Sequence, residues 1–216
     1  MNMLMNVRIS LLFCLFTNAL IFGQIPFPKS CQNVEIMKDF DVNKYMGKWY
    51  AYLTYPYTWY TGIKCLHHTY ENEKNGLITI NTSSYFELTN YTNEYSTTAQ
   101  MEGSEGLLKL NHMNSLYSSC IKEISDYIIL GTDYDNWSVV YSCKNFTSLM
   151  HTEMVWILTR QRQPDMDAIK KAQRVMSNND VSVKFLVSMS QTNCPDDETD
   201  VELNLTDRTV SVLSRP

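Results

Sequence analysis

Side chains able to do chemistry are few in this sequence, with four His and six Cys among 216 residues. His67 and His68 are adjacent, so on a strand they point to opposite faces and cannot hold a metal as a pair. His112 and His151 stand apart from them, and no spacing suggests a metal centre. Nucleophile elbow, H-E-x-x-H zinc signature, phosphate loop and dinucleotide fingerprint are all missing from the sequence. Covalent chemistry would need a nucleophilic cysteine, with Cys65 as the candidate, and nothing calls for a cofactor. What is abundant is aromatic: 14 Tyr, 8 Phe and 4 Trp. Their chemistry is apolar recognition with a phenol or indole as polar handle. The densest run is Tyr55-Pro56-Tyr57-Thr58-Trp59-Tyr60.

The cysteines read according to their compartment. Met1–Phe22 carries a single charge, Arg8, ahead of the mostly apolar Ile9–Phe22 and the small Gly23. That is the layout of a secretory signal, and its apolar part falls short of the ~20 residues a spanning helix needs. Residues 1–23 are expected to be removed, leaving Gln24 at the start of a secreted chain. In an oxidising compartment disulfides persist. Cys14 leaves with the signal, so Cys31, Cys65, Cys120, Cys143 and Cys194 remain for two bridges and a spare, and the residues alone do not choose the pairing. N-x-S/T acceptors at Asn81, Asn90, Asn136, Asn145 and Asn204 fit a glycosylated extracellular protein, Asn136 being the one in an expected tight turn.

A charged fraction of 19% and a hydrophobic fraction of 44% exclude both a disordered chain and a membrane bundle. The net charge of −5 offers no basic footprint for phosphate backbones, so nucleic acid is not an expected partner.

The elements that must position the aromatics follow from period-two patterning, which predicts strands near 48–55, 63–72, 76–82, 94–101, 106–112, 126–132, 137–144, 152–160 and 182–189. In the last, Val181, Val183, Phe185, Val187 and Met189 alternate cleanly with a mainly polar set. Residues 113–125 read as a long loop. A single helix is predicted over Pro164–Ser177, where Met166, Ile169, Ala172 and Met176 recur three or four apart. An all-β fold fits: an eight-stranded antiparallel up-and-down barrel over residues 24–195 with one C-terminal helix packed outside. The acidic, aromatic-free tail, 196–216, lacks the apolar surface to fold alone.

Three blocks then carry a resemblance. Asp41–Tyr50 (DVNKYMGKWY) resembles the G-x-W start of the first lipocalin strand, Thr132-Asp133-Tyr134 resembles the second lipocalin block, and Trp156–Arg160 (WILTR) resembles the third, which ends in arginine. The wording is most similar to the apolipoprotein D-like subgroup and its arthropod bilin-binding members, including the closing Asn193-Cys194-Pro195. The resemblance implies that Gly47, Trp49 and Arg160 close one end of the barrel, with the guanidinium over the indole. It also implies the pairings Cys31–Cys143 and Cys65–Cys194; the second would deny Cys65 the thiolate that a prostaglandin-isomerising lipocalin needs, so no enzyme is expected.

By the same resemblance Tyr70, Tyr127 and Trp156 line the cavity, with Ile129 near Tyr127. Strand parity adds Ala51, Leu53 and Tyr55 on the face of Trp49, Met154 on that of Trp156 and His68 on that of Tyr70, where it could meet a ligand's acid group. The expected role is binding and transport of a small hydrophobic ligand: a fatty acid, sterol or steroid, retinoid or bilin-type pigment. The alternative is an interaction protein whose mouth loop Tyr55–Tyr60 meets a receptor or enzyme. That loop could also serve as a lid, a rim touching a membrane or lipoprotein surface, or a dimer contact. Cys120 offers an intermolecular bridge, which could make a dimer, a redox-reactive thiol or an inert one.

Overall fold

A computed structural model describes residues 26–57, 60–73, 76–111 and 124–195, with Ile124, Ser125 and Phe146 described as backbone only. The expected signal, Cys14, Thr58, Trp59, His112, Cys120, Asn204 and the acidic tail lie outside the described residues.

The chain order is β1 (Pro26–Pro28), α1 (Val42–Tyr45), β2 (Gly47–Thr54), β3 (Ile63–Asn72), β4 (Leu77–Phe86), β5 (Tyr91–Met101), β6 (Leu107–Asn111), β7 (Ile124–Thr132), β8 (Trp137–Thr147), β9 (Met150–Thr159), α2 (Met166–Asn178), a 3-10 turn at Val183–Phe185 and β10 (Val187–Ser188). Each of β2 to β8 pairs antiparallel with the next, and β2 also pairs with β9. Pairing the first strand with the last leaves no open edge in the set, which makes it a closed eight-stranded barrel.

Alternation sorts the side chains into two cores. Inside lie Trp49, Ala51, Leu66, Tyr70, Ile78, Ile80, Ala99, Leu108, Tyr127, Ile129, Val140, Trp156 and Leu158. Outside, Leu130, Val139, Tyr141, Val155 and Ile157 pack under Ala168, Ile169, Ala172 and Met176 of α2. The helix begins at an Asp165 N-cap, whose carboxylate accepts from the Asp167 amide. Met166, predicted on the buried stripe, is 55% exposed, because the stripe runs through Ala168 instead.

The segment predicted as a strand at 182–189 is not one. It forms the 3-10 turn, with Ser182 Oγ accepting from the Lys184 amide, and only Val187 and Ser188 pair, with Thr54 and Leu53. Closure of the barrel leaves little free edge: β1 takes the start of β9, and Val187–Ser188 takes the end of β2 beyond its pairing with β3. Val183, Phe185 and Val187 are 37%, 46% and 45% exposed, and Phe185 rests edge-on against Phe27 and Tyr55 outside the barrel.

Both implied disulfides are present: Cys31–Cys143 with Cα atoms 5.9 Å apart, and Cys65–Cys194 with Cα atoms 5.7 Å apart. The second anchors the C-terminal segment, where the Gln191 side-chain amide donates to the Ala51 and Leu66 carbonyls and accepts from Arg162. Arg162 in turn lies over the Tyr50 ring at 4.4 Å.

Candidate functional site

One end of the barrel is closed by side chains from all three sequence blocks. Arg160 Cζ stands 3.8 Å from the centre of the Trp49 ring. Its Nε donates to the Tyr134 carbonyl, Nη1 to Lys48 and Nη2 to Lys44 and Tyr45. The guanidinium fork thus satisfies carbonyls that the short α1 and the turn into β2 leave unpaired. Trp49 Nε1 donates to the Tyr45 carbonyl at 2.8 Å, and Trp49 and Tyr45 are fully buried. Gly47 has φ +95°, which favours glycine, and a Cβ there would crowd Arg160 Nη1 at 3.3 Å.

The Thr132-Asp133-Tyr134 block shapes the adjoining turn. Asp133 accepts from the Asn136 and Trp137 amides. Burial raises its carboxyl, but hydrogen bonds from Asn136 and Trp137 outweigh this and hold it below its ordinary value. The turn leaves Tyr134 at φ +68°, with its hydroxyl accepting from the Asp41 amide. Asn136 spends its amide on Asp133 and the hydroxyl of Ser138 in its acceptor triplet is buried against Tyr45. Asn81 is on the outward row of β4, and Asn90 and Asn145 are exposed.

Above the closed end, polar atoms inside the barrel are mostly phenols. Tyr70 and Tyr127 hydroxyls hydrogen-bond across the interior. Tyr45 packs edge-on against Tyr70 with ring centres 5.1 Å apart, and its hydroxyl bonds Ser138 Oγ at 2.9 Å. Burial pushes all three phenols well up from their ordinary range, so each stays protonated. Trp156 lies against Tyr127 with ring centres 6.0 Å apart and donates from Nε1 to the Tyr60 hydroxyl at 3.1 Å. His68 Nδ1 bonds Thr82 Oγ1 at 2.9 Å, and burial lowers its imidazole to about 4, leaving the ring neutral.

Tyr95 pairs with Thr82 on the inward-facing row that also carries Thr97, Ala99 and Met101, and it is 53% exposed, so this side chain of the interior face reaches solvent.

Of the predicted lining residues, Tyr70, Tyr127, Trp156 and Ile129 are inside, Met154 packs against the same cluster, and His68 shares the face of Tyr70. Leu53 and Tyr55 are corrected: both belong to the outer cluster. A register shift in the β2–β9 pairing between Ala51 and Leu53 reverses strand parity at Tyr52. The Tyr55 hydroxyl instead donates to the Ser182 carbonyl. Sequence reasoning missed Tyr45, Thr82 and Tyr95 as interior groups. The alternation Tyr95, Thr97, Ala99, Met101 was the signal for the last.

Cys143, His151 and Glu153 approach one another, but the cysteine sulfur is held by Cys31. His151 Nε2 faces Glu153 Oε1 at 2.8 Å and Nδ1 faces the Lys29 carbonyl, so the group ties β1 to the barrel wall.

Comparison with known proteins agrees with this architecture. The family model described as Triabin matches residues 23–173. Apolipoprotein D of Cavia porcellus is 28% identical over 168 residues, 77% of this chain and 85% of that protein. The Lazarillo protein of Schistocerca americana is 30% identical over 152 residues, 68% of each. Lobster apocrustacyanin A1 superposes with TM-score 0.66 at 20% identity, covering 80% of this chain and 95% of that one. Insecticyanin from the tobacco hornworm Manduca sexta gives TM-score 0.68 at 16% identity, covering 79% and 91%. These solved structures share the fold. With the family model spanning most of the barrel, the chain belongs to the Triabin family of lipocalins, and so stands with ligand-binding carriers rather than with enzymes.

Proposed function

We propose that this protein is secreted and carries one small hydrophobic molecule inside its barrel, drawn from fatty acids, sterols or steroids, retinoids and bilin-type pigments. The supporting observation is the inward-facing Tyr95, half in solvent above an aromatic interior. A recess closed at one end by Trp49 and Arg160 and reachable at the other suits a ligand that leaves water for apolar walls. Burial of a few hundred Å² at roughly 25 cal/mol per Å² supports micromolar affinity or better after ordering costs. Two long-range disulfides favour export, since such bridges persist in oxidising compartments.

Native mass spectrometry of the protein secreted from eukaryotic cells tests this reading. A carrier holds a single small organic molecule that is released on denaturation. Uniformly empty protein that also takes up none of these ligand classes after purification argues against it, and favours an interaction protein working through its Tyr55–Tyr60 loop.

A further inference from the structure

Resting on the carrier reading, we propose that the ligand is a neutral alcohol or ketone on an apolar body. Its polar end is turned down to the Tyr70–Tyr127 hydroxyl pair, a position denied to an ionised head group.

The argument starts from the hydroxyls of Tyr70 and Tyr127, two buried residues bonded to each other inside the barrel. Each hydroxyl brings one proton and two acceptor sites. Their link uses one proton, so one remains. If Tyr70 donates to Tyr127, the Tyr127 proton is left for the ligand, which suits a ketone. If Tyr127 donates to Tyr70, Tyr127 offers only lone pairs, which suits an alcohol. Rotating the two hydroxyls switches between these without moving a ring, and both settings are electrically neutral.

A carboxylate in the same place finds no counter-charge. Arg160 lies beyond the Trp49 ring, with its donors directed at carbonyls of the turn into β2. Among the described residues His68 faces the interior beside Tyr70, but its Nδ1 is bonded to Thr82 Oγ1 and burial keeps the ring neutral, so it brings no charge. The other buried histidine and carboxylate side chains among those described are His67, His151 and Glu153. His67 alternates with inward His68, and Glu153 with inward Met154, so both point away from the interior, while His151 faces the Lys29 carbonyl of the N-terminal arm. Lys144 shares the inward row of β8 with Val140 and Ser142, but at the rim, where it is exposed. A carboxylate held there keeps its charge in water and leaves the Tyr70–Tyr127 pair unmet. Deeper placement would strip the ion of solvent with no cation to compensate.

The test compares hexadecanol with hexadecanoate on the delipidated full chain at about pH 8, where the acid is ionised. In Tyr127→Phe, which removes one oxygen and no ring, the affinity ratio of alcohol to acid should fall by about three- to tenfold, the range of a neutral hydrogen bond. An unchanged or increased ratio overturns the proposal while leaving the carrier reading intact. Failure of the wild-type protein to bind either probe overturns the proposal, and the carrier reading falls with it only if sterols, retinoids and bilins are refused as well. A second measurement needs no variant: the carbonyl stretch of bound 2-heptadecanone in the wild-type protein. It should lie at lower wavenumber than in an alkane solvent, and a position equal to that in alkane overturns the proposal.

Discussion

Arg160 covers the face of Trp49 at 3.8 Å and binds backbone carbonyls of the last turn of α1 and the start of β2. One side chain thereby fixes the indole, the turn into β2 and the end of β9. Replacing it with lysine keeps the charge but loses the planar fork and most of the carbonyl contacts, at a cost of about 2 kcal/mol. Gly47→Ala should cost about 1–2 kcal/mol through its positive φ alone. Urea denaturation of the two variants measures both, and wild-type midpoints would show that this closure contributes little to stability.

The reversal of parity at Tyr52 separates two residues that simple alternation groups together. Trp156→Ala should weaken binding of a hydrophobic ligand by about tenfold or more, since a large aromatic wall is lost. Leu53→Ala should leave affinity within about twofold, because Leu53 packs in the outer cluster. Ligand titrations of the two variants, with far-ultraviolet spectra as folding control, check this. Equal losses would place Leu53 at the ligand.

His68 gives the fold a pH dependence of defined sign. Its imidazole titrates near 4 in the native barrel, with burial the main cause, against an ordinary value of 6.5. The unfolded chain therefore binds the proton first as pH falls. The contribution from keeping the ring neutral is fully present above about pH 6.5 and is lost as pH drops through about 4, up to about 3 kcal/mol in all. His68→Gln should flatten that part of the stability profile in denaturation series across this window. An unchanged slope would assign the acid sensitivity to other groups.

The bridge Cys65–Cys194 closes a span of 129 residues and pins the segment after α2. Serine at both positions should cost about 2–5 kcal/mol in thermal or chemical unfolding, and should raise proteolysis around residues 182–195. A stable variant with the same cleavage pattern would show that Gln191 and Met189 hold the segment unaided.

Much of this architecture was legible in the residues, for local reasons. Strand 63–72 matches β3, and the three short blocks meet at Arg160, because glycine, indole and guanidinium have few interchangeable substitutes. Two features were hidden. A bulge is invisible to alternation, so Leu53 and Tyr55 were assigned inward. The alternating run Val181–Met189 satisfies the strand pattern as well as any segment, but a closed barrel has almost no edge to offer it. Its apolar residues are divided instead, with Val181 and Met189 buried and Phe185 resting on Phe27 and Tyr55. Both errors come from long-range pairing, which residue periodicity does not encode.

The central claim is a single aromatic-lined space, shut beneath by Trp49 and open above at Tyr95. Titrating the delipidated protein with all-trans-retinol while following tryptophan emission tests it most directly, since Trp156 stands in the wall. The account predicts saturable quenching at one equivalent, with a midpoint at micromolar concentration or below. Absent quenching, or uptake that rises without saturation while the protein stays folded, would contradict it.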